Sequence, residues 1–378
     1  MKILFLDQSG KPGGAELCLL DIAKRYQDRC LVGLFADGSF KHLLEQHNIP
    51  VQVLGSKPIS VRKNSSFVEG ISSLRQIIPL IVDVVRLASR YDVIYANTQK
   101  ALVVGALASF FTRRPLIYHL HDILSADHFS PTNRRLAVTL ANRFASLVIA
   151  NSKATQAAFI AAGGRSEITE IVYNGFETKL YQQFAPKQTS QLESKTQFIV
   201  GHFSRLSPWK GQHILLAALA HCPPEVTAVF VGDALFGEQD YVQQLHKQVA
   251  ELQLEQRVKF LGFHSDPIPL MATCDLITHT STAPEPFGRV IVEAMLCGRP
   301  VVAADAGGAV ELIENEQTGW LVSPGEPKKL ASAIIMCLHQ PEAAARIAYQ
   351  GQLAANQRFD LKIIEQQIDQ LLQTVVAK

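Results

Sequence analysis

A chain of 378 residues is long for one hydrophobic core and comfortable for two. With 47% hydrophobic and 19% charged residues, its composition is that of a globular α/β protein and excludes a disordered or fibrous one. The net charge of +2 hides an asymmetry: Lys+Arg outnumber Asp+Glu 21 to 14 in residues 1–180, and the order reverses, 15 to 20, in residues 181–378.

The basic first half is suited to an anionic partner, or is simply an uneven solvated surface. Nucleic acid is not expected. Six cysteines (Cys18, Cys30, Cys222, Cys274, Cys297, Cys337) are scattered without a C-x-x-C pair, which argues against zinc or a disulfide framework and for a reducing, cytoplasmic setting. The opening MKILFLD is too short an apolar run for a signal peptide, because Asp7 interrupts it. No run of 18 apolar residues exists, so no spanning segment is expected. The longest apolar stretch, Ala101–Phe111, is expected to be a buried helix.

In chain order, Lys2–Leu6 reads as a buried strand leading into Gly10-Lys11-Pro12-Gly13-Gly14 and then a helical pattern from Ala15 to Ile22. Strand, glycine-rich turn and helix is the phosphate-approach geometry of doubly wound sheets, although the turn is not G-x-G-x-x-G. Strands follow near Cys30–Phe35, Val51–Leu54, Val93–Ala96, Leu116–His119, Leu147–Ala150 and Glu170–Val172, with helical patterns between them. This is a βαβ series and predicts a mostly parallel sheet. Gly55 to Gly70 has no periodicity and reads as a surface loop carrying Lys57, Arg62 and Lys63.

The polar stretch from Gln182 to Lys195 is the best linker candidate. A second alternation begins with a strand at Phe198–His202 and a helix from Gly211. Strands at Val226–Val231, Val258–Phe260 and Leu276–His279, a helix at Gly288–Leu296 and a strand at Pro300–Ala303 follow. An amphipathic helix from Leu361 ends the chain. The expected domains are therefore 1–180, 196–355 and a C-terminal helix, 356–378.

Chemistry concentrates at the ends of these strands. In Pro284–Met295 (PEPFGRVIVEAM), Pro284 and Pro286 disfavour helix before Phe287. Glu285 is then expected in a loop, and Glu293 inside a helix whose N-terminus near Gly288 can receive an anion. Two carboxylates flanking a phosphate site suit a nucleotide-sugar; two solvated glutamates on an ordinary helix fit the twelve residues equally well. Arg205 and Lys210, in a loop after the first strand of the second series, could clamp a diphosphate. His121 stands at a strand exit beside Asp122. Gly307-Gly308 removes side chains after another strand.

GGAEL near the start, His121-Asp122, RLSPWKG, PEPFGRVIVEAM and PVVAADAGG followed by Glu311 keep the order of glycosyltransferase family 4, which this chain resembles over nearly its whole length. The resemblance implies a GT-B fold, two doubly wound Rossmann-like domains facing a cleft, with the C-terminal helix returning to the N-terminal domain. It implies a retaining hexosyltransferase that uses a nucleotide-sugar, taken as UDP-linked, and a saccharide or lipid-linked acceptor. On that basis Glu293 would accept from the ribose hydroxyls and Glu285 would meet the hexose. Phe287 and Gly288 would lie beside the sugar and diphosphate, with Arg289 and Val290 on the same donor side. Arg205 and Lys210 would neutralise the diphosphate. Gly13 and Gly14 would pass close to the phosphates, and His121 would donate to the sugar. Ser204 departs from the glycine common before the Arg. No Asp-x-Asp occurs, and the resemblance implies no metal and no cofactor. The alternatives are a nucleotide-sugar epimerase or a non-catalytic nucleotide-sugar-binding protein. The basic first half would allow peripheral contact at the cytoplasmic face of a membrane.

Overall fold

The structure is a computed structural model that describes residues 1–54, 67–125, 129–184, 197–235 and 237–377, except for the side chains of 67–77. Lys57, Arg62, Lys63 and most of the expected linker lie outside the described residues. The chain divides into two compact units, Met1–Gly175 with Leu361–Lys378, and Phe176–Asp360.

The first unit holds seven strands: β1 (Ile3–Asp7), β2 (Cys30–Leu34), β3 (Val51–Val53), β4 (Val93–Ala96), β5 (Leu116–Leu120), β6 (Ala145–Ala150) and β7 (Thr169–Ile171). They pair in the order β3-β2-β1-β4-β5-β6-β7, every pair parallel. Helices cover both faces, so the central strands are apolar throughout instead of alternating. Ile3 and Phe5 pack on one side with Leu19, Tyr95 and Ile117, and Leu4 and Leu6 on the other with Leu102, Leu116 and Tyr118. The order reverses between β1 and β4, and the loops after these strands and β5 are where such sheets take ligands.

The second unit repeats the scheme with β8 (Phe198–Phe203), β9 (Val226–Val231), β10 (Val258–Gly262), β11 (Leu276–His279), β12 (Val301–Ala304) and β13 (Trp320–Val322). The order is β10-β9-β8-β11-β12-β13, again parallel, with its reversal between β8 and β11. Both units are Rossmann-like, as expected.

The C-terminal helix Leu361–Val376 belongs to the first unit. Ile364, Ile368 and Leu372, four positions apart, form one stripe and join the core around Ile3 and Phe5. Asp369 on the same helix accepts from Arg25 Nε at 2.7 Å and from the Tyr26 hydroxyl. The unit boundaries fall at Gly175 and at Asp360, where the sequence pattern placed breaks near 180 and 355. The preceding helix, Pro341–Arg358, runs through 355 because Ala344, Ala348, Gly351 and Ala355 make a small-residue stripe that stays buried in the second unit.

Two sequence expectations need correction. The loop expected to run from Gly55 to Gly70 stops short of its end, because the helix Phe67–Ala88 begins inside it. The stretch Ala101–Phe111 lies in the helix Gln99–Thr112, whose Ala101, Leu102, Val104, Ala106 and Ala108 are buried, but its end is not: Phe110 and Phe111 are 62% and 65% exposed. Among the described residues no helix is long and apolar enough to cross a membrane.

Candidate active site

In the second unit the polar residues gather at the sheet's reversal point. Glu285 lies in the loop after β11, as its flanking prolines require. It is not a solvated glutamate. Lys210 Nζ donates to its Oε2 at 2.7 Å and its Oε1 at 3.0 Å. Ser281 Oγ donates to Oε2 at 3.0 Å, and His279 Nε2 lies 3.2 Å from the same oxygen. Burial pushes the carboxyl upward, but the Lys210 ammonium and the His279 hydrogen bond outweigh it and hold Glu285 well below the usual carboxylate range. It is an ionised, caged group.

The backbone fixes this loop as well. The Glu285 carbonyl accepts from Gly308 N at 2.6 Å. A Cβ on Gly307 would sit 2.4 Å from that oxygen, so only glycine allows the approach. Gly288, the N-cap of the helix Arg289–Leu296, has φ +97°, a left-handed conformation that favours glycine there.

Arg205 and Lys210 do not stand in an exposed loop. Arg205 Nε is 3.4 Å from Glu238 Oε2, and Ser207 Oγ donates to Glu238 Oε1 at 2.5 Å. Each basic residue therefore already faces a carboxylate, and both are partly buried. Glu293 pairs with Arg289, Nε to Oε1 3.4 Å, one helical turn apart, and the Arg289 guanidinium lies over the Phe176 ring at 4.5 Å. Val290 is half-buried in the first turn. The Phe287 ring is only 2% exposed and packs between Phe176 and Phe359. It is a core group, so any contact it makes with a sugar is through its backbone.

In the first unit the sequence pattern identified His121, Gly13 and Gly14. Around them the fold assembles Asp7 and Asn97, which the pattern did not mark, and Glu16, which it held only as a letter of GGAEL. Asn97, in the loop after β4, donates through Nδ2 to Asp7 Oδ2 at 2.7 Å, and its Oδ1 lies 2.9 Å from His121 Nε2. Glu16, on the helix Gly14–Arg25, accepts from Gly13 N at 2.9 Å and so fixes the glycine turn. Gly13 and Gly14 themselves are exposed. Asp7 and Glu16 are buried, and burial raises both carboxyls above their ordinary values, with the Asp7 charge adding to the rise for Glu16. His119, beneath His121 with ring centroids 3.9 Å apart, is pushed well below its ordinary value by burial and then by His121.

Among the described residues one group has metal-donor chemistry: Cys18, His119 and His121, with donor atoms within 4.8 Å of one another. The two tilted imidazoles in contact and the Asn97 bond on His121 are those of a packed polar cluster, not of an open tetrahedral site.

Residues 12–180 match the sequence profile described as Glycosyltransferase Family 4, and residues 184–354 the one described as Glycosyl transferases group 1. The chain is 63% identical to Anabaena HepE in its crystal structure with UDP-glucose, covering 99% of this chain and 100% of that one, with a TM-score of 0.90. This chain belongs to glycosyltransferase family 4. It is 24% identical to human α-1,3/1,6-mannosyltransferase over 97% of this chain and 94% of that protein. It is 32% identical to spore coat protein SA of Bacillus subtilis, where the match spans 50% of this chain and about half, 55%, of that protein.

The family motifs explain which residues were legible. Arg205, Lys210, Glu285 and Glu293 stand in motifs whose order is diagnostic. Asp7, Asn97, Glu238 and His279 are single polar residues at strand ends or in turns. Their only local signal is a polar residue closing an apolar strand, as in Leu6-Asp7 and Ala96-Asn97. The departure at Ser204 is absorbed: its hydroxyl accepts from Gln212 Nε2 at 2.8 Å and lies 3.3 Å from His202 Nδ1.

Proposed function

We propose that this family 4 glycosyltransferase moves glucose from UDP-glucose to a hydroxyl acceptor, with retention of configuration, in polysaccharide or glycolipid synthesis. The observation that carries the donor is the 63% identity, over 99% of the chain, to HepE crystallised with UDP-glucose and with UDP and glucose. As the glycosidic C–O bond breaks, negative charge builds on the leaving diphosphate. Arg205, Lys210 and the N-terminus of the helix Arg289–Leu296 supply fixed positive charge to it. A diphosphate competes with Glu238 for Arg205 and with Glu285 for Lys210. Glu285 then serves the hexose hydroxyls and Glu293 the ribose, while His121 serves the reacting end. The chain carries no Asp-x-Asp motif, and in this reading the cationic groups replace a metal. The acceptor is a saccharide or a lipid-linked saccharide, met in the cytoplasm or at the cytoplasmic face of a membrane.

The test is a thermal-shift comparison of UDP-glucose, GDP-mannose and ADP-glucose, followed by turnover with excess EDTA. A ligand that binds only the folded protein raises its melting temperature by mass action. UDP-glucose is expected to raise it most, UDP to be released in the presence of EDTA, and the product to keep the α-configuration by NMR. A shift with another donor alone overturns the UDP assignment. Complete loss in EDTA, restored by Mg²⁺ or Mn²⁺, overturns metal independence, and a β-linked product overturns retention.

A further inference from the structure

The cluster after β1, β4 and β5 determines which nitrogen of His121 carries its proton. Asn97 is 1% exposed, and its amide could in principle point either way. Its neighbours decide. One end lies 2.7 Å from Asp7 Oδ2 and 3.1 Å from the carbonyl oxygen of Ala15. A backbone carbonyl can only accept, and so can an ionised carboxylate. Turning the amide over would place its oxygen against both acceptors in a site without solvent, leaving buried groups unpaired. The nitrogen therefore faces Asp7 and Ala15, and the oxygen faces His121. Asp7, 0% exposed, is in turn held by the Ser9 N–H, which donates to its Oδ1 at 2.8 Å.

The Asn97 oxygen, 2.9 Å from His121 Nε2, can only accept, so Nε2 must carry a proton. A neutral imidazole with a proton on Nε2 has an acceptor at Nδ1.

We propose that Asp7 and Asn97 are positioning residues that hold His121 in its Nε2–H tautomer, in which Nδ1 is the accepting nitrogen of the neutral ring. The resemblance implied donation by the ring; in this tautomer Nδ1 of a neutral His121 has no proton to donate, so a hydroxyl that meets it would be the hydrogen-bond donor. The proposal rests, for its effect on turnover, on the UDP-glucose reading above; its structural part does not.

The test is a long-range ¹H–¹⁵N spectrum of protein labelled with ¹⁵N at its twelve histidines, recorded near pH 8. The His121 signals are assigned by their disappearance in His121→Gln. A pyrrole-type Nε2 and a pyridine-type Nδ1 are expected. A protonated Nδ1 in the wild-type neutral ring overturns the proposal outright, with no variant needed. In Asn97→Ala the two tautomers should mix, and kcat should fall about 10-fold or more while KM for UDP-glucose changes little, as for misorientation of a reacting group. Asp7→Asn, nearly isosteric, should show partial mixing and a smaller fall. Unchanged tautomer in both variants means that the ring is held by something else and also overturns it. If the tautomer behaves as stated but UDP-glucose is not turned over, the donor assignment fails and the positioning role stands.

Discussion

Lys210 and Arg205 were both legible as basic residues after a strand, yet the structure gives them different consequences. Lys210 and Glu285 form a close, mostly buried pair, with side-chain exposures of 17% and 11%. Removing one partner strands the other charge, so Lys210→Ala should cost about 2 kcal/mol or more in a urea melt. Arg205 and Glu238 are more exposed, at 28% and 25%, so Arg205→Ala should cost under about 1 kcal/mol. Both variants should lose about 10²-fold in kcat/KM if each stabilises charge on the diphosphate. Near-normal turnover in either removes that residue from the mechanism, and equal melting curves remove the distinction between them. Glu16 supplies a pH test. Burial first, then Asp7, pushes its carboxyl from 4.5 up to about 8. A raised carboxyl is favourable below its unfolded value and unfavourable once ionised, so this residue costs stability progressively as pH rises from about 4.5 through 8. Glu16→Gln keeps an oxygen for the Gly13 N–H and removes the charge. It should be more stable than wild type by roughly 2 kcal/mol or more at pH 9, with the gap closing by pH 4. A gap that widens on acidification would contradict the assignment. Neither pairing was visible in sequence terms, because Glu238 and Glu285 reach the basic residues from other elements and no local spacing links them.

Elements with strong periodicity or a motif were readable, and weak ones were not. Twelve strands fall within a residue or two of their apolar runs. β13, Trp320–Val322, has only three residues and follows a turn at Gly319, so no alternation announces it. The two helices Pro327–His339 and Pro341–Arg358 bury alanines as much as large apolar residues, which blurs a hydrophobic pattern. The last helix shows the opposite case. Its stripe Ile364, Ile368, Leu372 predicted an amphipathic helix, and packing shows where the stripe goes, into the first unit's core. Ile368 is 1% exposed, so Ile368→Ala leaves a cavity and should cost about 2–4 kcal/mol. The urea midpoint should fall with an unchanged slope, the mark of a stability change without loss of compactness. A cost below about 0.5 kcal/mol would mean that the helix is only loosely docked, since exposed substitutions lie in that range.

At the scale of the whole molecule, part of the excess of Lys+Arg over Asp+Glu in residues 1–180 acquires a location. Phe110 and Phe111 protrude from the end of the helix Gln99–Thr112, and Arg113 and Arg114 follow directly. Arg135 is exposed and Arg134 half-buried on the helix Pro131–Phe144, which packs against the same helix; Phe144 meets Phe110 edge to face at 6.3 Å. Two exposed aromatic rings beside arginines combine an apolar anchor with charge, the combination that sits at a bilayer interface. Each basic residue near an anionic surface contributes about 1 kcal/mol, and the attraction fades within a Debye length. The protein should therefore co-sediment with phosphatidylglycerol vesicles at low salt, and not with neutral vesicles. Binding should weaken at about 0.5 M salt, where screening shortens to a few ångströms. Arg113→Glu with Arg114→Glu should abolish it. Phe110→Ser with Phe111→Ser should weaken it without altering its salt dependence, because that pair contributes area and not charge. If the aromatic variant instead removes a concentration-dependent dimer and leaves vesicle binding intact, the patch is a protein interface. If the wild type stays in the supernatant at low ionic strength, the membrane reading fails and the acceptor is a soluble saccharide.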